Sequence, residues 1–181
     1  MGNENLLENQ ERREEDTQWK EKSCSELIDH IVSKHHEYLH TELPALSPYV
    51  SKIHHVHGAV HVELFHVQTL FQQIKSELEQ HSLIEETEVF PIIKAWERTP
   101  SATNAEKLSQ LLAELENDHE NVGLLLRELR SVTRDFSLPP NACMTYRMTY
   151  QRLEELEADL LEHIHLETDI LFPKAIAELS R

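Results

Sequence analysis

An eleven-residue pattern occurs twice in this chain, as HSLIEETEVFP at residues 81–91 and as HIHLETDILFP at residues 163–173, so that H-x-x-x-E-x-x-x-x-F-P recurs at an offset of 82 residues. A histidine and a glutamate four residues apart sit one helical turn apart on the same face. Two copies imply two equivalent helices, and hence a duplicated unit. A length of 181 residues suits one domain with a sizeable core, so both copies belong to the same domain.

Apolar periodicity supplies the other helices. Ile28, Val32, His36, Leu39 and Leu43 recur at helical spacing and predict helix one from Ser25, bent near Pro44. Pro44 and Pro48 each remove a donor and crowd the preceding turn, so LPALSPYVSKIHHVHG reads as a kinked continuation or a second short helix. Helix two is predicted over about residues 59–97, with Leu70, Ile74, Leu78, His81 and Glu85 on one face, stopping before RTPSATN. Helix three begins near Ala105 and carries Leu108, Leu112, Leu115, His119, Val122, Leu126 and Leu129 in steps of four and three. SLPPNAC, residues 137–143, breaks the chain before helix four, which runs to about Leu179 with Leu156, Leu160, His163, Glu167 and Ile170 inward. The expectation is an all-α, up-down-up-down four-helix bundle over residues 25–181, preceded by a polar tail or short surface helix over 1–24.

Every predicted helix places a histidine where the core should be, and two add a glutamate one turn on. The six are His36, His81, Glu85, His119, His163 and Glu167; the intervals from His36 to His81 (45 residues) and from His119 to His163 (44) agree with a duplicated hairpin. One histidine on an apolar stripe is more often a satisfied core residue than a ligand. Two inward carboxylates change that reading, because burying each costs several kcal/mol without a cation beside it, and the inward positions offer no Lys or Arg. A bound metal supplies the charge.

Four imidazoles and two carboxylates suit two ions, with one half from each hairpin and both glutamates bridging. Two ferrous ions carry about +4 against −2 from the glutamates, so an oxo, hydroxo or water bridge completes the balance. With both carboxylates bridging, the protein fills about eight of twelve octahedral positions and leaves room for small ligands. Zinc is the chemical competitor, although a structural zinc site is usually closed, tetrahedral and often thiolate-rich. A ferritin-like site would instead use Glu-x-x-His on two helices and a lone Glu on each of the others.

Composition removes other classes. A net charge of −16 disfavours nucleic acid and anionic membrane surfaces. Cys24 and Cys143 form no C-x-x-C pair and read as reduced thiols. The polar start and the lack of a long apolar run point to a cytoplasmic protein.

With these residues in hand, the sequence resembles hemerythrin-like di-iron proteins, and more closely the family named for repair of iron centres. The likeness covers about Ser25 to Ala177 and includes LIDHIVSKHHEYLHTELPAL around His36, HSLIEETEVFP, NDHENVGLLL around His119, PPNAC at residues 139–143 and HIHLETDILFP. It implies that His36, His81, His119 and His163 are iron ligands, that Glu85 and Glu167 bridge two Fe ions, and that the protein takes part in the response to nitrosative and oxidative stress. The implied function is to react with or sense NO, O2 or peroxide and to help repair damaged iron–sulfur clusters, with iron donation to iron–sulfur proteins as one route. Alternatives are a hemerythrin-like module that binds or senses oxygen or iron without turnover, and a zinc-stabilised scaffold.

Two departures stand out. Repair proteins of that family usually carry an N-terminal domain with paired cysteines, whereas only Cys24 precedes helix one here. Oxygen-carrying hemerythrins place another histidine four residues after the third-helix ligand, where this chain has Gly123, at a helix-interior cost of about 1 kcal/mol relative to alanine.

A second histidine cluster, HHVHGAVHVELFH at residues 54–66, places His54, His57 and His61 near one face if the helix continues through Gly58. It reads either as a solvated helix junction or, since His57 matches a histidine in the repair family, as a source of a proton relay or outer-shell donor beside the metals. Asp29 and Asp118 are candidates to orient ligand imidazoles, with exposed helix carboxylates as the default.

Overall fold

The computed structural model describes residues 14–99 and 102–179. Four long helical rods form the bundle. α1 comprises Cys24–Ile31, a π-helical turn Val32–His36, and Glu37–His57; α2 comprises Glu63–Ile84, a π turn Glu85–Val89, and Phe90–Arg98. α3 is the uninterrupted helix Ala102–Val132, and α4 comprises Met144–His165, a π turn Leu166–Leu171, and Phe172–Leu179. A short helical segment over 14–21 precedes them. No strand occurs among the described residues, and the order is the expected up-down-up-down bundle.

Local chemistry fixes the ends. Ser23 and Glu26 form a reciprocal capping box at the start of α1. Glu97, near the end of α2, accepts the next backbone N–H groups, from Cys24 at 2.6 Å and Ser25 at 3.1 Å, so donors orphaned by the helix start are satisfied. α1 continues through both Pro44 and Pro48 to His57, which decides the open question in favour of one continuous helix. Both prolines face solvent, where water can serve the carbonyls that lose a partner. The chain turns over residues 58–62, so α2 begins later than predicted, and α1 does not run on through Gly58. A Cβ at Gly58 would lie 2.5 Å from the His54 carbonyl oxygen, which reserves this turn for glycine.

Between α3 and α4, Arg134, Asp135 and Phe136 are consecutive left-handed residues with φ of 51°, 55° and 52°, a conformation costing about 1–2 kcal/mol per residue. Burial of Phe136 and its backbone N–H bond to Thr133 Oγ1 (3.2 Å) hold the turn.

The π turns explain a pattern that a 3.6-residue period misses. Each inserts an extra residue into the turn where the recurring histidine or glutamate falls, so adjacent residues such as His35 and His36, or Leu166 and Glu167, are both buried. The two F-P dipeptides follow directly: Pro91 and Pro173 sit just after a π turn, where the widened helix relieves the usual clash with the preceding turn.

Burial divides the core in two. One apolar cluster includes Leu39, Phe71, Leu126, Tyr150 and Leu160; the other, toward the start of α1, includes Ile28, Phe90, Leu112, Ile170 and Phe172. Between them lies the layer that contains the six residues selected from spacing.

Candidate metal centre

The antiparallel order brings four widely separated segments to one level: the early part of α1, the late parts of α2 and α4, and the middle of α3. His36, Glu85 and Glu167 are fully buried at 0% exposure, and His163, His81 and His119 are exposed by only 1%, 3% and 8%. All six converge.

Their ligating atoms form two overlapping groups, each within 4.8 Å: His36, Glu85, His163 and Glu167, and His81, Glu85, His119 and Glu167. Both carboxylates belong to both groups. Nε2 of His36 lies 3.2 Å from Nε2 of His163, and Nε2 of His119 lies 3.1 Å from Nε2 of His81. Two ligands at about 2.1 Å from one ion are about 3.0–3.4 Å apart at right-angled to tetrahedral separations, so each imidazole pair has the spacing of a shared ion. Glu85 Oε2 is 3.3 Å from both His36 and His81. Glu167 places Oε1 2.8 Å from His163 and Oε2 3.0 Å from His119, one oxygen toward each group.

The pairing differs from the expected one half per hairpin. His36 of α1 faces His163 of α4, and His81 of α2 faces His119 of α3, so both groups are built across hairpins. The two glutamates project from α2 and α4 and belong to both groups, and each imidazole pair draws one histidine from each hairpin.

The charge balance of the layer calls for a cation. Glu85 Oε1 and Oε2 and Glu167 Oε2 are buried without a hydrogen-bond partner, and the ion-pair partners of both carboxylates among the described residues are imidazoles. Burial opposes charge on His81, yet the carboxylates of Glu85 and Glu167 outweigh it and push the imidazole up to about 11. Burial likewise opposes charge on His36, but Glu85, Glu167 and Glu86 raise it. Complete burial would raise the Glu167 carboxyl, but His163, His119 and His81 hold it well below the ordinary range. Protons on the imidazoles thus supply positive charge that a metal ion would bring, and the donor set fits divalent metal.

The imidazoles are oriented from behind. Nδ1 of His36 meets Glu86 Oε1 at 2.8 Å, and Nδ1 of His119 meets Thr168 Oγ1 at 3.0 Å. Asp118 Oδ2 lies 3.5 Å from Nδ1 of His81, near the orienting place suggested for it, whereas Asp29 pairs with Lys94 at 2.5 Å instead. Sequence reasoning missed Glu86 and Thr168, although a signal existed: each directly follows the glutamate of one repeat copy.

His57 is not brought to the centre. It lies 21 residues beyond His36 on α1, roughly 30 Å along the axis. There its Nε2 is 3.2 Å from Cys143 Sγ and its ring packs on Tyr146. A relay beside the metals is therefore ruled out by distance, and the solvated-junction reading fits the position. His61 pairs with Glu63 at 3.3 Å.

Residues 27–175 match the family described as the hemerythrin HHE cation binding domain. The chain is 35% identical over 148 residues to the iron-sulfur cluster repair protein ScdA of Staphylococcus epidermidis, covering 82% of this chain and 65% of that protein's length. It is 34% identical over 161 residues to the iron-sulfur cluster repair protein YtfE of Dickeya chrysanthemi, covering 87% and 68% respectively. A probable iron-sulfur cluster repair protein of Haemophilus influenzae is 30% identical over 172 residues, covering 95% and 74%. No helix among the described residues is long and apolar enough to cross a membrane. With the duplicated His–Glu layer and a match over most of its length, the chain belongs to the hemerythrin HHE cation-binding family, among relatives named for iron-sulfur cluster repair.

Proposed function

We propose that this chain is a non-haem di-iron protein whose centre serves the repair of damaged iron–sulfur clusters, with iron donation as one route. The observation that carries it is the pair of four-residue groups sharing both Glu85 and Glu167. His36 and His163 would hold one iron, His81 and His119 the other, and the two carboxylates would bridge them. Bound iron would supply one-electron redox change and coordination positions open to NO, O2 or peroxide. The rest is the work of the chain. Glu85 and Glu167 offset the metal charge, Glu86 and Thr168 fix two imidazoles with Nε2 inward, and the two apolar clusters keep bulk water from the layer. Metal would displace the proton favoured on His81, so affinity should rise with pH. The role in repair rests on the likeness to relatives named for iron-sulfur cluster repair, and a reducing cytoplasmic setting suits two free cysteines.

Metal content per chain, measured by mass spectrometry on protein purified without added metal, tests the centre. About two irons support it, and one zinc with little iron rejects it. For the repair role, the loaded protein should restore a nitric-oxide-damaged iron–sulfur enzyme while His81→Ala does not; equal recovery with both removes that role.

A second reading, reversible binding of a small ligand without turnover, is favoured by a small apolar pocket in which Leu78, Val122, Leu160 and Ile164 adjoin His81, His119 and His163. Stoichiometric, reversible oxygen uptake by the diferrous protein would select it. Irreversible oxidation or NO consumption would select the first.

A further inference from the structure

The surroundings of the four inward imidazoles follow the duplication, with one exception. Glu86 and Thr168 occupy equivalent positions and anchor His36 and His119. Asp118, the residue before His119, faces Nδ1 of His81. The residue before His36 is its counterpart, but it is His35, which offers His163 no acceptor. The two rings instead lie parallel, 5.2 Å between centroids and 6° between planes, and Nδ1 of His163 has no hydrogen-bond partner among the described residues.

His35 is itself arranged like a metal ligand. It is fully buried, and its Nδ1 lies 2.9 Å from Asp159 Oδ1, much as His36 Nδ1 lies 2.8 Å from Glu86. With Nδ1–H donating to the carboxylate oxygen, the neutral form of the ring has its lone pair on Nε2. A carboxylate behind an imidazole is the arrangement that sets the tautomer of metal-ligating histidines. Yet Nε2 of His35 has no partner among the described residues. A buried unpaired nitrogen costs stability, and a phenyl ring could stack on His163 without that cost. Toward the surface, the half-buried His30 meets His35 edge-on at 6.0 Å, and Trp19 covers His30 at 4.4 Å.

We infer that His35 is a transfer ligand, a fifth imidazole through which metal enters and leaves the position between His36 and His163, with His30 as the outer step. The inference rests on the two-metal reading above. In the exchange, the bond from metal to Nε2 of His163 gives way to one with Nε2 of His35. Oxidation state is unchanged, and the neutral ring exchanges with no proton released, since its one N–H is the Nδ1–H directed at Asp159.

The test is release of ferrous iron from the full loaded chain into excess chromogenic chelator under anaerobic conditions, with metal content measured in parallel. His35→Phe keeps a flat ring on His163 and removes the nitrogen. It should retain the wild-type metal content and visible spectrum, release one of its two ions at least about tenfold more slowly, and release the other at the wild-type rate. His30→Phe, at a half-buried position that spares folding, should slow the same ion by a smaller factor, and it carries the test if His35→Phe does not fold. Wild-type rates at full metal content, in either variant, overturn the role. Reduced metal content in His35→Phe also overturns it, since His35 would then hold His163 in place rather than pass metal. If the wild type itself holds fewer than two ions, the two-iron reading fails on that count alone. The rate comparison then uses whichever divalent ion the His36–His163 position retains, and an unchanged rate in His35→Phe still rejects the transfer role.

Discussion

The molecule has two histidine-rich regions, and they differ in almost everything but composition. In the layer between the apolar clusters, four buried imidazoles face two buried carboxylates whose oxygens lack other partners. At the far end of the bundle, His54, His57 and His61 are half-buried and settle with Phe65, Cys143 and Glu63. Histidine count therefore does not make a site. Register against unpaired carboxylates, on rigid helices, does.

Changes to the bridging carboxylates should break this contrast most sharply. Glu85→Ala or Glu167→Ala removes an oxygen donor from both groups at once, so metal content should fall from two ions to one or none by mass spectrometry. The affinity loss should exceed the roughly 10–100-fold expected for an outer-shell partner; full retention of two ions would show that the carboxylates do not bridge.

Stripping the metal is the next largest perturbation. A metal present at about 1,000 times its Kd adds roughly 4 kcal/mol, so chelation should lower Tm by about 10 °C for a domain of this size. The same sample carries a pH signature. The raised imidazole of His81 gives the metal-free fold stability that is complete below the unfolded value of 6.5 and is lost as pH climbs through about 11. Metal-free protein should thus lose Tm steadily between pH 7 and pH 10, while the loaded protein does not follow that slope. Parallel slopes would mean that proton and metal do not compete for the layer.

Outer-shell changes come third. Thr168→Val takes the acceptor from Nδ1 of His119 and should weaken metal binding by roughly 10–100-fold, read by chelator competition; wild-type affinity would leave Thr168 without that role. Gly123→His ranks fourth. A Cβ at Gly123 meets only the Arg127 side chain within 4 Å, at 3.8 Å, so a side chain can be accommodated. A histidine one turn beyond His119 should move the optical spectrum under oxygen toward that of an oxygen carrier, and an unchanged spectrum counts against it. Smallest of all is His57→Ala, expected to leave metal content and spectrum unaltered and stability within about 0.5 kcal/mol. Loss of metal from that variant would join two regions that the fold keeps apart.

Much of this was legible in the sequence, because a duplicated helical hairpin writes itself twice. The offset between His81 and His163, the stripe through His119 and the inward glutamates selected six residues that the fold brings together. What stayed hidden depends on contacts between helices. Pairing across hairpins depends on how the helices pack against one another, which no spacing within one helix encodes. The π turns were invisible to a search at 3.6 residues per turn, although the F-P dipeptides marked their ends. A histidine that matches the family does not show which end of α1 it occupies, and His57 lies at the end away from the layer.

The split core has a consequence of its own. The cluster containing Ile28, Phe90 and Phe172 is tied to the larger one through a layer of ionisable groups, so a chain without its ions has a weak waist. We predict that its N-terminal and C-terminal ends come loose before the main cluster does, and are cut first. Limited proteolysis with and without chelator would read this as faster clipping near the start of α1 and the end of α4, and equal rates would discount it. The lifetime of the chain would then follow its metal loading: molecules that failed to load would be cut first, and the surviving pool would be the loaded one.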